Sequence, residues 1–178
     1  MTAALSFEIR PLQAGDWELV RCVRLAALAD APDAFARTLD EELQLSEASW
    51  RDRATRNAQG LDSVSFLALR EGVPCGMVVG VCETAEPRVQ LNALWVAQNV
   101  RRRGLGAQLV ERVCSWAAAR GAREVVLEVT TSSRAAIALY RSLGFSEQGE
   151  LPVSCGARRA PALRMSRAVS SSDAVSAR

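Results

Sequence analysis

The stretch from Val96 to Leu109, V-A-Q-N-V-R-R-R-G-L-G-A-Q-L, constrains the fold of this chain more than any other. An apolar run from Leu91 to Val96 gives way to three arginines, then Gly104-Leu105-Gly106, then a strongly helical segment. The order is strand, basic glycine turn, helix. Glycine has no Cβ, so its backbone can turn sharply and approach a ligand closely. A helix begins with unpaired N–H groups and the positive end of its dipole outward, which favours an anion. Between Gln98 and Gly106 no Ser, Thr or Asp is available to fill those donors, and Asn99 lies too early to cap the helix. Alone, the turn reads either as a phosphate cradle or as a surface turn with solvated arginines.

Composition removes several chemistries. All 22 basic residues are arginine, and neither lysine nor histidine occurs. Without histidine there is no Ser-His or Cys-His nucleophile and no His-based zinc site. Without lysine there is no Schiff base and no Walker-type phosphate lysine. The five cysteines (Cys22, Cys75, Cys82, Cys114, Cys155) are scattered and lack C-x-x-C spacing, which suits small buried hydrophobes in a reducing cytoplasm. No metal site is expected. A net charge of +2 gives no reason to expect a nucleic-acid partner, and no apolar run approaches membrane-spanning length. The start of the chain shows no signal pattern, so the reading is a cytoplasmic protein. At 178 residues the chain suits one domain, placed at 1–168, with a Ser-rich tail at 169–178 expected to be disordered.

In chain order, Phe7–Arg10 alternates as a first strand, and an amphipathic helix capped by Asp16 ends before Pro32. The acidic stretch up to Leu43 reads as a loop. A second helix starts at Ser46 or Ser49 and ends at Gly60. Val64–Leu69 and Val73–Val81 form a hairpin about Glu71-Gly72. In the next strand, Val89–Val96, apolar residues occupy odd positions at first, then even positions from Leu94 onwards. A one-residue bulge near Ala93 explains the switch, and so does full burial of the strand end. Leu105, Leu109, Val113 and Trp116 mark one helix face, and Glu124–Val129 is a β-branched run suited to a buried parallel strand. A helix capped by Ser132 or Ser133 runs through Leu143 to Gly144. Phe145–Leu151 and Ala162–Met165 are strands that bracket a Pro/Gly/Arg loop.

This order, with R-R-R-G-L-G after the fourth strand and A-I-A-L-Y-R-S-L-G-F after the fifth, resembles the GNAT superfamily of acyl-CoA-dependent N-acetyltransferases. The resemblance spans roughly residues 7 to 167, and its two motifs lie in the right element order. It implies an α/β fold with a mixed, mostly antiparallel sheet flanked by helices and one central parallel βαβ unit. It also implies an acyltransferase that moves an acetyl group from acetyl-CoA to an amine of an unidentified small molecule or of a peptide or protein N-terminus; a homodimer is a candidate assembly. Arg101, Gly104 and Gly106 match the family's Q/R-x-x-G-x-G/A signature, so Arg102, Arg103, Leu105 and Ala107 fall in the turn that wraps the pyrophosphate. Leu94, Trp95 and Val96 match the splayed strand end whose backbone pairs with the pantetheine arm. Tyr140, the only tyrosine in the chain, matches the family's acid for the departing thiolate. Ser133 stands where many members place an asparagine near the pantetheine, Arg102 replaces a common glycine, and Gln98 replaces a common proline. Gln90 lies near where some members place a glutamate base, and glutamine cannot take a proton.

The implied mechanism is direct attack by a neutral amine, with an amide of the fourth strand at Leu94–Val96 facing the oxyanion and Tyr140 as acid. Glu83 and Glu128 are base candidates, although Glu128 also reads as a strand-edge salt bridge. Asp40, Glu41, Glu42 and Glu47 read as solvated surface; if they lined the acceptor site, they would favour a cationic amine. Two other readings remain at this stage. One is an acyl-CoA-binding module of the same fold without turnover. The other is a Rossmann-type nucleotide binder, since Glu128 lies about twenty residues beyond the glycines.

Overall fold

The computed structural model describes residues 6–35, 37–152 and 160–174. Its elements are β1 (Glu8–Pro11), α1 (Trp17–Asp30), α2 (Leu39–Leu43), α3 (Glu47–Gln59), β2 (Ser63–Arg70), β3 (Val73–Cys82), β4 (Arg88–Val96), α4 (Leu105–Ala119), β5 (Glu124–Thr130), α5 (Arg134–Ser142), β6 (Ser146–Leu151) and β7 (Ala162–Ala168). Short 3-10 turns occupy Pro32–Ala34 and Gln98–Val100. The seven strands form one sheet in the order β1-β2-β3-β4-β5-β7-β6. Every pairing is antiparallel except β4 with β5. One parallel pair in a largely antiparallel sheet is the architecture expected from the sequence, and it excludes the doubly wound sheet of a Rossmann fold.

Strand alternation divides the apolar residues between two cores. Val64, Phe66, Val89, Leu91 and Leu127 face Leu105, Leu109 and Val113 of α4. On the other face, Leu67, Met77 and Trp95 meet Val20, Val23 and Ala27 of α1 and Trp50 and Ala54 of α3. Each Leu or Val buried this way contributes about 1.5–3 kcal/mol relative to exposure. The sheet is thus covered on both sides, and a ligand can enter its middle only where two strands part.

They part beside β4. Its register with β3 slips so that Val79 opposes Asn92 while Met77 opposes Trp95, and Ala93 takes a left-handed φ of 53°. This is a bulge, and it decides between the two explanations of the parity switch. Before it, Val89 and Leu91 face α4; after it, Leu94 and Val96 take that face, while Ala93 and Trp95 face α1 and α3.

Two local expectations are corrected. The acidic stretch read as a loop contains α2, started by a capping box in which the Thr38 hydroxyl accepts from the Glu41 N–H and the Glu41 carboxylate accepts from the Thr38 N–H. Asp16 makes no side-chain cap to α1. Its carboxylate is instead bound by two Arg10 nitrogens at 2.6 and 3.0 Å and the Gln13 N–H at 2.8 Å, and the arginine holds its pKa below the usual carboxylate value. Among the described residues past 168, Val169 is buried, and Asp173 accepts from Arg167 at 3.0 Å and from the Ser170 N–H at 2.8 Å. The Pro/Gly/Arg loop centred on residues 153–159, with Cys155, lies outside the described residues, as do residues 175–178.

Candidate active site

Parallel pairing of β4 with β5 runs from Arg88↔Glu124 to Leu91↔Leu127 and stops there. Beyond the bulge β4 stays with β3, as the Ala97 N–H bond to the Cys75 carbonyl at 2.9 Å shows, and β5 stays with β7. Backbone donors alternate sides along a strand, so if Ala97 and Trp95 address β3, the N–H groups of Leu94 and Val96 face the gap. A cavity of about 300 Å³ occupies that gap. Leu91, Asn92, Ala93 and Leu94 form one wall, and Glu128, Val129 and Thr130 the other. Ser133, Ala136 and Tyr140 of α5 close it on one side, and Asp33, Ala34 and Phe35 approach it from the end of α1.

Tyr140 is 6% exposed, and its ring packs on Phe145 with centroids 5.6 Å apart. Its hydroxyl makes no hydrogen bond within the described residues, and burial raises its pKa well above the ordinary value near 10. It therefore keeps its proton throughout the neutral range. The Ser133 and Thr130 hydroxyls lie 2.6 Å apart at the cavity wall. One donates to the other, which leaves one hydroxyl proton for a ligand.

The glycine turn has the geometry its sequence suggested. Gly104 takes the N-cap position of α4 at φ 77°, no side chain caps the helix, and no acid lies in its first turn. Arg102 adopts φ 61°, a left-handed conformation in which glycine is unstrained and arginine is not. Gly106 has a different reason. A Cβ there would lie 3.2 Å from Leu139 Cδ2 of α5 and 3.9 Å from Val96 Cγ2, so this glycine lets α4, α5 and β4 approach one another. Gly106→Val is accordingly expected to lower thermal stability as well as ligand binding. An overpacking cost of about 1–3 kcal/mol corresponds to roughly 2–12 °C in melting temperature. A melting curve that matches wild type would show that the contact yields freely.

Two of the residues that the resemblance places at the cofactor have side chains engaged within the fold. Arg101 donates through Nε to the Val96 carbonyl at 2.8 Å and through Nη2 to Asp30. Asp30, the last residue of α1, also accepts from Trp95 Nε1 at 2.8 Å and from Gln98 Nε2. Opposing burial, these donors lower its pKa. Asp30 thus ties α1 to the end of β4 and to the turn, a role that nothing in its local sequence announces. Trp95 itself points away from the cavity into the core under α1 and α3. Of the two base candidates, Glu83 is bound to Arg88 at 2.6 Å at the far end of β4, while Glu128 lines the cavity and accepts from Arg164 at 3.1 Å. Cys75 and Cys114 are buried, and burial pushes the Cys114 thiol up to about 12. Cys22 is exposed, unlike the buried hydrophobe expected of it.

No helix among the described residues is long and apolar enough to cross a membrane, and no cluster of three or more potential metal ligands occurs among them. A model of the acetyltransferase (GNAT) family matches residues 26–145. The chain is 40% identical to human N-acetyltransferase 8 over 65 residues, which is 36% of this chain and 29% of that protein. It is 31% identical over 98 residues to the [ribosomal protein bS18]-alanine N-acetyltransferase of Escherichia coli, 55% of this chain and 65% of the other. The similarity thus spans under a third of the human relative's length and about two thirds of the bacterial one's. Among solved structures, a GNAT-family acetyltransferase from Streptococcus pneumoniae superposes with a TM-score of 0.79 at 21% identity, covering 92% of this chain and 99% of that one. The Escherichia coli ribosomal-protein-S18-alanine N-acetyltransferase gives a TM-score of 0.65 at 25% identity, covering 93% and 95%. With the strand gap, the bulge and the uncapped glycine turn in place, the family match over most of the sequence establishes that this chain belongs to the acetyltransferase (GNAT) family.

Proposed function

We propose that the chain is an N-acetyltransferase that moves an acetyl group from acetyl-CoA to an amine by direct attack. The observation that carries this reading is the loss of β4–β5 pairing after Leu91, which opens a cavity along the edge of β4 that β5 leaves. Acetyl-CoA would enter as a strand-like ligand, its pantetheine amides meeting the free edge of β4 at Leu94 to Val96. Its diphosphate would meet the N–H groups of Leu105, Gly106 and Ala107 at the start of α4, with Gly104 forming the turn. Arg102 and Arg103 supply cations there. Arg101 serves as a strut that holds the turn against Asp30 and Val96. Ser133, with Thr130, offers a hydroxyl to the pantetheine arm.

The acceptor nitrogen forms its bond to the thioester carbon as the carbonyl oxygen gains charge against the Leu94 N–H. One such donor is worth about 2.7–4 kcal/mol. Collapse breaks the C–S bond, Tyr140 offers its proton to the sulfur, and the proton of the attacking nitrogen leaves through water to a cavity carboxylate, Asp33 or Glu128. Gln90 lines the same cavity but takes no proton. The four free cysteines among the described residues fit a reducing, cytoplasmic setting.

Acetyl-CoA at about 100 times its dissociation constant is expected to stabilise the fold by about 2.7 kcal/mol, or roughly 5–11 °C in melting temperature. Addition of an acceptable amine should then release free thiol. No calorimetric or thermal response to acetyl-CoA or CoA would overturn the donor assignment. Binding without thiol release from any amine would favour a non-catalytic acyl-CoA-binding role.

A further inference from the structure

On the α1 face of the sheet a second cavity, of about 280 Å³, lies over β2, β3 and β4 and under α1, α2 and α3. Ala93, the bulge residue, lines both this cavity and the gap between β4 and β5, so the two spaces adjoin at that residue. The charged groups lining the second cavity are Arg24, Arg37, Arg53 and Glu42, three cations against one anion. The sequence read the acidic segment as solvated surface that would favour a cationic acceptor only if it lined the site; of its four acids Glu42 alone lines this cavity, among three arginines.

The arginines outnumber the one carboxylate they surround. Glu42 is fully buried; one carboxylate oxygen accepts from Arg53 at 2.6 Å, and the other lies 3.5 Å from Arg24. That long contact is the only hydrogen bond of the Arg24 guanidinium among the described residues, although the group carries five N–H donors. The Arg24 side chain is 14% exposed, and burial disfavours its charge. Stacking fixes the planes of both guanidiniums: Arg24 lies 4.6 Å from the Phe35 ring centroid, and Arg53 lies 4.6 Å from that of Trp50. A rigid, desolvated guanidinium with spare donors is suited to a carboxylate, which it can bind through two parallel bonds.

Resting on the N-acetyltransferase reading, we propose that this cavity is the acceptor site and that the acceptor is a small amine carrying a carboxylate. Arg24 and Arg37 bind the carboxylate and Arg53 holds Glu42 in place, while the amine reaches past Ala93 to the thioester. The size of the cavity, at the lower end of the usual ~300–1,000 Å³ for ligand sites, suits an acceptor of amino-acid dimensions.

The test is thiol release from acetyl-CoA with α- and ω-amino acids, each paired with its carboxamide and its decarboxylated amine. The best carboxylate is expected to exceed its two neutral-tailed partners by about 100-fold in kcat/KM, since loss of the anion leaves the arginines unpaired. Arg37→Gln changes an exposed residue, and the double change Arg24→Gln with Glu42→Gln removes one charge of each sign. Both should erase most of that preference by weakening the carboxylate alone, whereas a damaged fold would slow all three acceptors together. Equal or faster reaction of the carboxamides, or of polyamines, would overturn the proposal and leave the acetyltransferase reading intact. No thiol release from any acceptor would overturn it too, and acetyl-CoA calorimetry on the same sample would show whether the donor reading survives.

Discussion

Tyr140→Phe is expected to slow acetyl transfer by about 10- to 100-fold and to leave acetyl-CoA affinity within a few-fold of wild type. The ring stays, and with it the packing on Phe145; only the hydroxyl and its proton are lost. General acid catalysis commonly contributes 10²–10⁴-fold, but two features of this site point to the low end. A thiolate, whose parent thiol has a pKa of about 8.5, is already a fair leaving group. The Tyr140 phenol is also a weaker acid than usual, because burial raises its pKa. Its contribution is largest when negative charge develops on the sulfur beside it. The sign of the shift carries a second consequence. A raised pKa keeps the neutral, proton-bearing form in place across the neutral and mildly alkaline range, so wild type should show no alkaline fall in rate below about pH 10 that Tyr140→Phe abolishes. Turnover within twofold of wild type, where chemistry limits the rate, would reduce Tyr140 to a packing residue.

What the sequence made legible was whatever depends on neighbours along the chain. The hairpin at Glu71-Gly72, the β-branched run of β5 and the uncapped glycine turn each have local causes, and each appears in the structure. The β4 bulge was half legible. The shift of apolar parity at Leu94 required either a bulge or complete burial, and only the backbone at Ala93 separates the two. The capping box of α2 was present as Thr38-x-x-Glu41 but went unread, because five residues hold too little apolar pattern to announce a helix. Roles that join distant residues could not be read at all. Arg101 belongs to a run of three arginines, yet its partner Asp30 lies 71 residues earlier. Gly106 signalled a close approach, but Leu139 as the approaching group emerges only when α5 packs on α4.

The four acids that the sequence grouped as solvated surface separate most sharply, and Glu42→Ala is expected to be the most destabilising change among them. Glu47 is exposed and pairs with Arg51 across one helical turn at 2.7 Å, a contact worth about 0.3–0.5 kcal/mol. Glu41 closes the capping box, and Asp40 is exposed. Glu42 is the one buried residue of α2, a helix of five residues that cannot hold itself together without tertiary contacts. Removing its carboxylate leaves Arg24 and Arg53 facing each other with side chains only 14% and 24% exposed. Breaking a buried pair from one side costs about 3–5 kcal/mol, and the partial exposure of the arginines argues for the lower half of that range. In a chain of this size about 3 kcal/mol lowers the melting temperature by roughly 6–12 °C. Glu47→Ala should move it by no more than about 2 °C. Glu42→Gln keeps an oxygen for Arg53 and should fall between the two. If Glu42→Ala melts with wild type, the ion cluster does not anchor α2, and packing of α1 against α3 carries that corner of the fold unaided.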